Sequence, residues 1–138
     1  MDKIHNCVVF KTSAFNTTVQ RNYFIKPSCF GDDAARWIMV ELGIHGFHTD
    51  TDPSQEDFGW HFTFGAAGVS HDAVIGYRPG AYGGEGEWIC WVERRPGLLG
   101  KMLKMTKEIK PEAAKAIQDV LSSSPAVKVV KFCEVREL

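Results

Sequence analysis

Three runs between residues 60 and 92 decide the fold: Trp60-His-Phe-Thr-Phe64, Ala73-Val-Ile-Gly-Tyr77 and Trp88-Ile-Cys-Trp-Val92. On an extended chain, alternate side chains point to the same side, because the side-chain period of a strand is two residues. Residues 78–86 separate the second run from the third and are rich in glycine, which permits the positive φ angles of tight turns. We therefore predict a meander of three antiparallel strands, with the aromatic residues of the first run inside and His61 and Thr63 facing outward.

Two helices are predicted, one before the meander and one after it. From Asp32 onward, apolar residues recur at helical spacing, and Asp32 and Asp33 are suited to the positive end of a helix dipole. The second helix is predicted to begin at Pro111, because proline fits the first helical position, and to stop at the run of serines 122–124. We expect the core to combine the aromatic run with four helical side chains: Ile38, Leu42, Ile117 and Leu121.

Further extended segments are predicted at both ends of the chain: two strands or extended arms near the N-terminus, joined by a turn, and one strand near the C-terminus. Asn6–Phe10 and Val19–Ile25 are rich in β-branched and aromatic residues, and Val127–Val135 alternates in a similar way. Residues 50–57 contain four acids and a proline, which is typical of an exposed loop, whereas Leu98–Lys110 is too weakly patterned to assign. The predicted fold class is α+β: one domain of residues 1–138, a two-layer sandwich in which an antiparallel sheet of about four to six strands carries two main helices on one face.

Composition narrows the classes of function. The 138 residues are 44% hydrophobic and 24% charged, with 16 Lys and Arg against 17 Asp and Glu, so that no overall charge attracts nucleic acid or an anionic membrane. We find no apolar run long enough to span a membrane and no secretory signal. The four cysteines form no C-x-x-C pair, which disfavours a structural zinc site. We predict a cytoplasmic protein with no cofactor.

One cluster has residue types that bind metals. If the strands around Trp60 and Ala73 pair as a hairpin, His61 and His71 are expected to project from one sheet face, with Asp72 beside them. A metal-assisted hydrolase using these three residues is therefore one hypothesis, with a metal-bound water as the nucleophile. The other interpretation is that these are ordinary surface histidines. No G-x-S-x-G motif supports a serine hydrolase.

Charge segregation favours a different class of function. The acidic stretch contains Asp50, Asp52, Glu56 and Asp57, whereas residues 94–115 are mainly basic and include Lys101 and Lys104. Tyr82 lies among glycines, where an aromatic side chain can anchor an interface. The basic stretch lacks the aromatic residues of a single-strand binder, so nucleic acid is not the expected partner. We predict a protein-binding module of the inhibitor or immunity type, with no self-sufficient catalytic site.

Self-association is a further expectation. Trp88 and Trp91 have opposite parity in one strand, so one of them is predicted to lie on the face of the sheet away from the core. Because large exposed apolar patches are rare on monomers, that face is expected to form a homodimer or to be covered by the N-terminal segment.

The first half of the chain carries a limited resemblance. The string Cys29-Phe-Gly-Asp-Asp-Ala-Ala-Arg-Trp37, followed by Gly46-Phe47 and by Glu56-Asp-Phe-Gly-Trp60, resembles a pattern in small uncharacterised bacterial α+β proteins. The resemblance implies a bacterial protein with one α+β domain. It implies no activity, substrate or catalytic residue.

Overall fold

The computed structural model describes residues 5–19, 21–25, 29–56, 59–80, 85–94 and 108–134. In chain order the elements are β1 (Cys7–Lys11), α1 (Asp32–Ile44), β2 (His48–Thr49), β3 (Ser54–Glu56), β4 (Gly59–Ala66), β5 (Val69–Arg78), β6 (Glu87–Glu93), α2 (Pro111–Ser123) and β7 (Lys128–Cys133). These ranges contain two helices and one antiparallel sheet, so the α+β class is confirmed. Neither helix combines the length and the apolar character needed to cross a membrane.

The sheet has the strand order β2-β4-β5-β6-β1-β7, with β3 also paired to β4. The predicted meander is confirmed as β4, β5 and β6. Its first turn is Ala67-Gly68, where both residues have positive φ angles (52° and 78°), as a tight hairpin turn requires. The prediction of four to six strands is wrong, because the described residues contain seven. The two short strands β2 and β3 form hydrogen bonds along one edge of β4. Strand β3 lies within residues 50–57, for which the acidic composition predicted only a loop.

One face of the sheet carries the main hydrophobic core. The register places Trp60 opposite Ile75, Ile75 opposite Cys90 and Cys90 opposite Val8, so a single buried row crosses four strands. This row belongs to one cluster with the helical residues predicted for the core: Ile38, Leu42, Ile117 and Leu121. Each large apolar side chain buried there stabilises the fold by roughly 1.5–3 kcal/mol relative to leaving it in water.

The end of α1 determines where the acidic stretch begins. Gly46 has a φ angle of 91°, which lies in the left-handed region that glycine adopts readily. The amide of Gly46 donates to the carbonyl of Gly43 (3.0 Å) and that of Phe47 to the carbonyl of Leu42 (2.9 Å), which is the hydrogen-bond pattern of a Schellman motif. The chain therefore reverses immediately after the helix, and β2 and the acidic stretch return alongside α1.

The strand predicted over Val19–Ile25 is wrong, since the described residues there form bends and turns. The side-chain oxygen of Asn16 accepts hydrogen bonds from the amides of Thr18 and Val19, which turns the chain away from an extended path. Phe24 is buried against Trp60, so one aromatic anchor attaches this segment to the core. At the C-terminus, the predicted strand is present as β7. Most of Leu98–Lys110 lies outside the described residues.

The opposite face of the sheet has a smaller cluster. Cys7, Val9 and Cys133 are buried there, with Ile89 and Trp91 packed against them. The predicted opposite parity of the two tryptophans is confirmed, because Trp88 is fully buried in the main core and Trp91 is half-buried on the other face. Strand β1 lies between β6 and β7 as an interior strand of the sheet.

Candidate functional site

Helix α1 presents apolar side chains on its outer side. Val40 is 61% exposed and Ile44 is 70% exposed, and their i, i+4 spacing makes them neighbours on the helix surface. The inner side of the same helix is buried through Ile38 and Leu42. Helix α1 therefore has an apolar ridge facing solvent in addition to the face that packs on the sheet.

The acidic stretch lies beside this ridge. Arg36 on α1 forms an ion pair with Asp52, with 2.7 Å between Nη1 and Oδ1. A shallow groove of about 290 Å³ separates the helix from the returning chain, and it is lined by Arg36, Met39, Val40, Thr49, Asp50 and Thr51. Two of the acids predicted for binding, Asp50 and Asp52, are thus next to an exposed apolar surface.

Asp50 is held in a fixed orientation by strand β4. Its Oδ1 accepts a hydrogen bond from the Thr63 hydroxyl (2.6 Å) and its Oδ2 accepts one from the Thr63 amide (2.7 Å). The amide of Asp50 in turn donates to the carbonyl of Thr63 (3.1 Å). These three bonds extend the β2–β4 pairing by one residue and keep an exposed carboxylate at the rim of the groove.

A second groove, of about 630 Å³, lies where the end of α1 meets α2. It is lined by His45, Phe47, Glu112, Lys115, Ala116, Asp119 and Ser123. We call the ridge of Val40 and Ile44, with these two grooves and Asp52, the α1 surface. Its charged side chains are four carboxylates (Asp50, Asp52, Glu112 and Asp119) against two cations (Arg36 and Lys115), so the surface is acidic.

Glu56 and His61 form a separate polar group on the sheet face opposite the core. His61 lies between two carboxylates, with Nε2 3.2 Å from Oδ1 of Asp72 and Nδ1 3.4 Å from Oε1 of Glu56. All three side chains are partly buried. Because the carboxylates approach opposite nitrogens of one ring, this geometry does not converge on a metal position. Among the described residues, no three His, Cys, Asp or Glu side chains are arranged to hold a metal ion.

His71 lies on the other face, so the expectation that it shares a face with His61 is wrong. His71 pairs with Phe64 in the register, and both point into the core. The Lys110 amide donates to His71 Nε2 (3.0 Å), and Nδ1 lies 3.2 Å from the Val69 carbonyl. The proton is therefore assigned to Nδ1. Burial lowers the pKa of His71, which keeps this imidazole neutral.

The four cysteines are free thiols in three different settings. Cys90 is buried in the main core, and this burial raises its pKa to about 12. Cys7 and Cys133 are opposite each other on β1 and β7. Cys29 is half-buried, and its thiol lies 3.7 Å from the Glu56 carbonyl.

Four of the residues predicted for binding lie outside the described residues: Asp57, Tyr82, Lys101 and Lys104. The basic half of the charge-segregation hypothesis therefore stays a prediction. The apolar ridge on α1 was not predicted. Its signal was present, because Val40 and Ile44 are apolar residues of α1 that lie off the buried stripe of Ile38 and Leu42.

Comparisons with known proteins give no relative from which a function can be transferred. The chain matches no family model, no curated protein and no solved structure. The resemblance to small bacterial α+β proteins stays a prediction. The function is therefore inferred from the described residues alone.

Proposed function

We propose that this chain is a protein-binding module, of the inhibitor or immunity type, that docks its partner through the α1 surface. The observation that carries the proposal is the exposed pair Val40 and Ile44 on a helix whose other side is fixed in the core. Stable interfaces combine an apolar centre on a rigid element with a polar rim. Desolvating these two side chains would contribute roughly 1.5–3 kcal/mol each if they were fully buried.

The acidic residues around the ridge form the polar rim of the α1 surface, and their charge indicates which kind of protein it binds. Asp50 and Asp52 flank one side of the ridge, and Glu112 and Asp119 belong to the groove on α2. An acidic rim accelerates association with a basic protein surface and disfavours acidic ones, including the phosphate backbone of nucleic acids. The proposed partner is therefore a protein with Lys and Arg around an apolar patch. Tyr82, Lys101 and Lys104 remain the proposed second contact.

The proposal includes the arrangement of layers and the cellular location. We take both helices to cover the same face of the sheet, which makes the outer side of α1 the outermost surface of a two-layer sandwich. The contacts of both helices with one hydrophobic cluster support this arrangement.

The cytoplasm is the proposed location, in agreement with four free cysteines.

The test compares three forms of the full chain as affinity baits in the native cell extract. The variant Val40→Asp/Ile44→Asp places charges on the ridge, and Val130→Asp is the matched control at an exposed apolar residue on β7. We expect one basic protein to be retained by wild type and by the control, and to be reduced at least tenfold by the ridge variant. The affinity of that purified protein for the purified wild-type chain is expected to fall as the salt concentration increases.

Two outcomes contradict the proposal. One is a partner that binds the ridge variant as well as wild type. The second is retention of nucleic acid or a small molecule instead of a protein. A thermal melt verifies that the ridge variant is folded. Because Val40 and Ile44 are exposed, we expect the melting temperature to change little.

A metal-assisted hydrolase stays the alternative hypothesis, without the contribution of His71. The contact of 3.2 Å between His61 and Asp72 is part of this hypothesis, but among the described residues it is not accompanied by a third ligand that could complete a metal site. Titration with Zn²⁺ or Mn²⁺ distinguishes the two functions: stoichiometric binding that is lost in His61→Ala supports the hydrolase.

A further inference from the structure

Cys7 and Cys133 are directly opposite each other in the antiparallel pairing of β1 and β7. Opposite residues in such a pair have Cα atoms about 4.5–5.5 Å apart, which lies within the range of about 4.4–6.8 Å that a disulfide spans. Both side chains are buried in the same small cluster on one sheet face. The strand pairing alone therefore brings the two sulfur atoms together.

We propose that Cys7 and Cys133 form a reversible thiol–disulfide exchange site that takes a low-molecular-weight disulfide, such as oxidised glutathione, as its oxidant. The Cys133 thiolate attacks one sulfur of the oxidant and releases one glutathione. Cys7 then attacks the mixed disulfide at Cys133 and releases the second glutathione. Two S–H bonds of the protein are replaced by one S–S bond, the S–S bond of the oxidant is cleaved, and the two protons pass to the leaving thiolates.

Strand β7 gives the oxidant access to this site. It pairs with β1 at the end of the strand order, and four of its side chains are exposed: Lys128, Val130, Lys131 and Phe132. A register shift between Val9 and Phe10 interrupts the β1–β7 ladder. Edge strands with exposed hydrogen bonds open locally at a lower free energy than the core does. Opening of β7 exposes Cys133 while the main core stays packed.

We expect the rate of disulfide formation to depend on how often β7 opens. In the closed strand, burial and the neighbouring Cys133 side chain raise the pKa of Cys7. The Cys7 thiolate, which attacks the mixed disulfide in the second step, is therefore scarce. The reaction is therefore slower than that of an exposed thiol.

The other two cysteines cannot replace this pair. Cys90 is opposite Val8 in the register and points into the main core, on the other side of the sheet from Cys7. Cys29 lies before α1, next to the carbonyl of Glu56. The geometry therefore selects one disulfide out of the combinations that four cysteines allow.

The experiment is oxidation of the full chain with oxidised glutathione, followed by tryptic digestion under non-reducing conditions. Cleavage after Lys and Arg puts Cys7 in the peptide 4–11 and Cys133 in the peptide 132–136. We expect these two peptides to be covalently linked. The closed loop is long, so we also expect the melting temperature to rise by on the order of 10 °C, and dithiothreitol to reverse both changes.

Variants at each thiol test the assignment. Cys133→Ser is expected to abolish the linked peptide and the rise in melting temperature, whereas Cys29→Ser and Cys90→Ala are expected to retain both. If Cys133→Ser does not fold, the peptide map of the wild-type chain still decides. A glutathione adduct at Cys29 with no linked peptide, a different disulfide, or a link that forms only in denaturant would overturn the proposal. A linked chain with an unchanged melting temperature would show that the bond does not stabilise the β1–β7 pairing.

Discussion

The two faces of the β4–β5 hairpin each hold one histidine, in two different chemical environments. His71, on the core face, is fully buried, neutral, and hydrogen-bonded to the backbone at the start of α2. His61, on the opposite face, lies between the carboxylates of Glu56 and Asp72. The residue type and the hairpin are the same, so the parity of each residue in its strand decides whether the imidazole supports the packing of α2 or lies between two carboxylates.

The neighbouring side chains of β4 also differ in burial between the two faces. On the core face, Phe62 and Phe64 are almost completely buried in the main cluster. On the opposite face, Thr63 is only partly buried and its hydroxyl bonds to Asp50. We therefore expect substitutions on the core face to destabilise the fold far more than substitutions of adjacent residues on the other face.

The largest effect is expected from Phe62→Ala. Removing a fully buried aromatic ring should lower the free energy of unfolding by about 3–5 kcal/mol, because both its burial and its packing are lost. The matched control is Thr63→Ala, which removes one partly exposed hydrogen bond and should cost about 1 kcal/mol. Urea denaturation measures both values, and equal losses would contradict the proposed difference between the faces.

An intermediate effect is expected from His71→Phe, which keeps a ring beside Phe64 but removes the acceptor of the Lys110 amide. The unsatisfied amide should cost about 1–3 kcal/mol at neutral pH. The pKa of His71 is lowered in the folded state, so its contribution to stability is present above the unfolded pKa of about 6.5 and is lost as the pH falls below it. The difference between wild type and variant should therefore shrink between pH 7 and pH 5. A difference that stays constant over this range would contradict the assignment of a neutral imidazole.

The smallest effect is expected from His61→Gln. Its carboxylate partners are partly solvated, and partly exposed contacts of this kind typically contribute under about 1 kcal/mol. Chemical denaturation measures the effect. A loss as large as that of His71→Phe would show that His61 has a structural role that its geometry does not explain.

Periodicity predicted the meander and both helices, because those elements depend on patterns within one segment. Periodicity also indicates the face on which each histidine lies. His71 has the same parity as Ala73 and Ile75, whereas His61 has the opposite parity from the buried Trp60. The alternation continues across the Ala67-Gly68 turn and puts the two histidines on opposite faces, so the prediction of one shared face was wrong.

Elements whose own residues do not indicate their conformation could not be predicted. Strand β3 forms because β4 offers an edge for hydrogen bonding, which the acidic residues of that stretch do not reveal. The segment around Phe24 has strand-forming residues, but the turn at Asn16 and the packing of Phe24 on Trp60 override that local preference.

The position of β1 between β6 and β7 determines when the sheet can be completed. Cys7 pairs with Trp91 and with Cys133, whereas the β4–β5 turn pairs Ala66 with Val69. Joining distant segments costs loop-closure entropy before the contacts stabilise them, and high contact order slows folding. On the ribosome, β1 emerges long before β7, so that β1 waits for the intervening residues before its second neighbour exists. Until then, the β7-facing edge of β1 is an unpaired edge of the nascent sheet, so translation rate and folding are coupled at this strand.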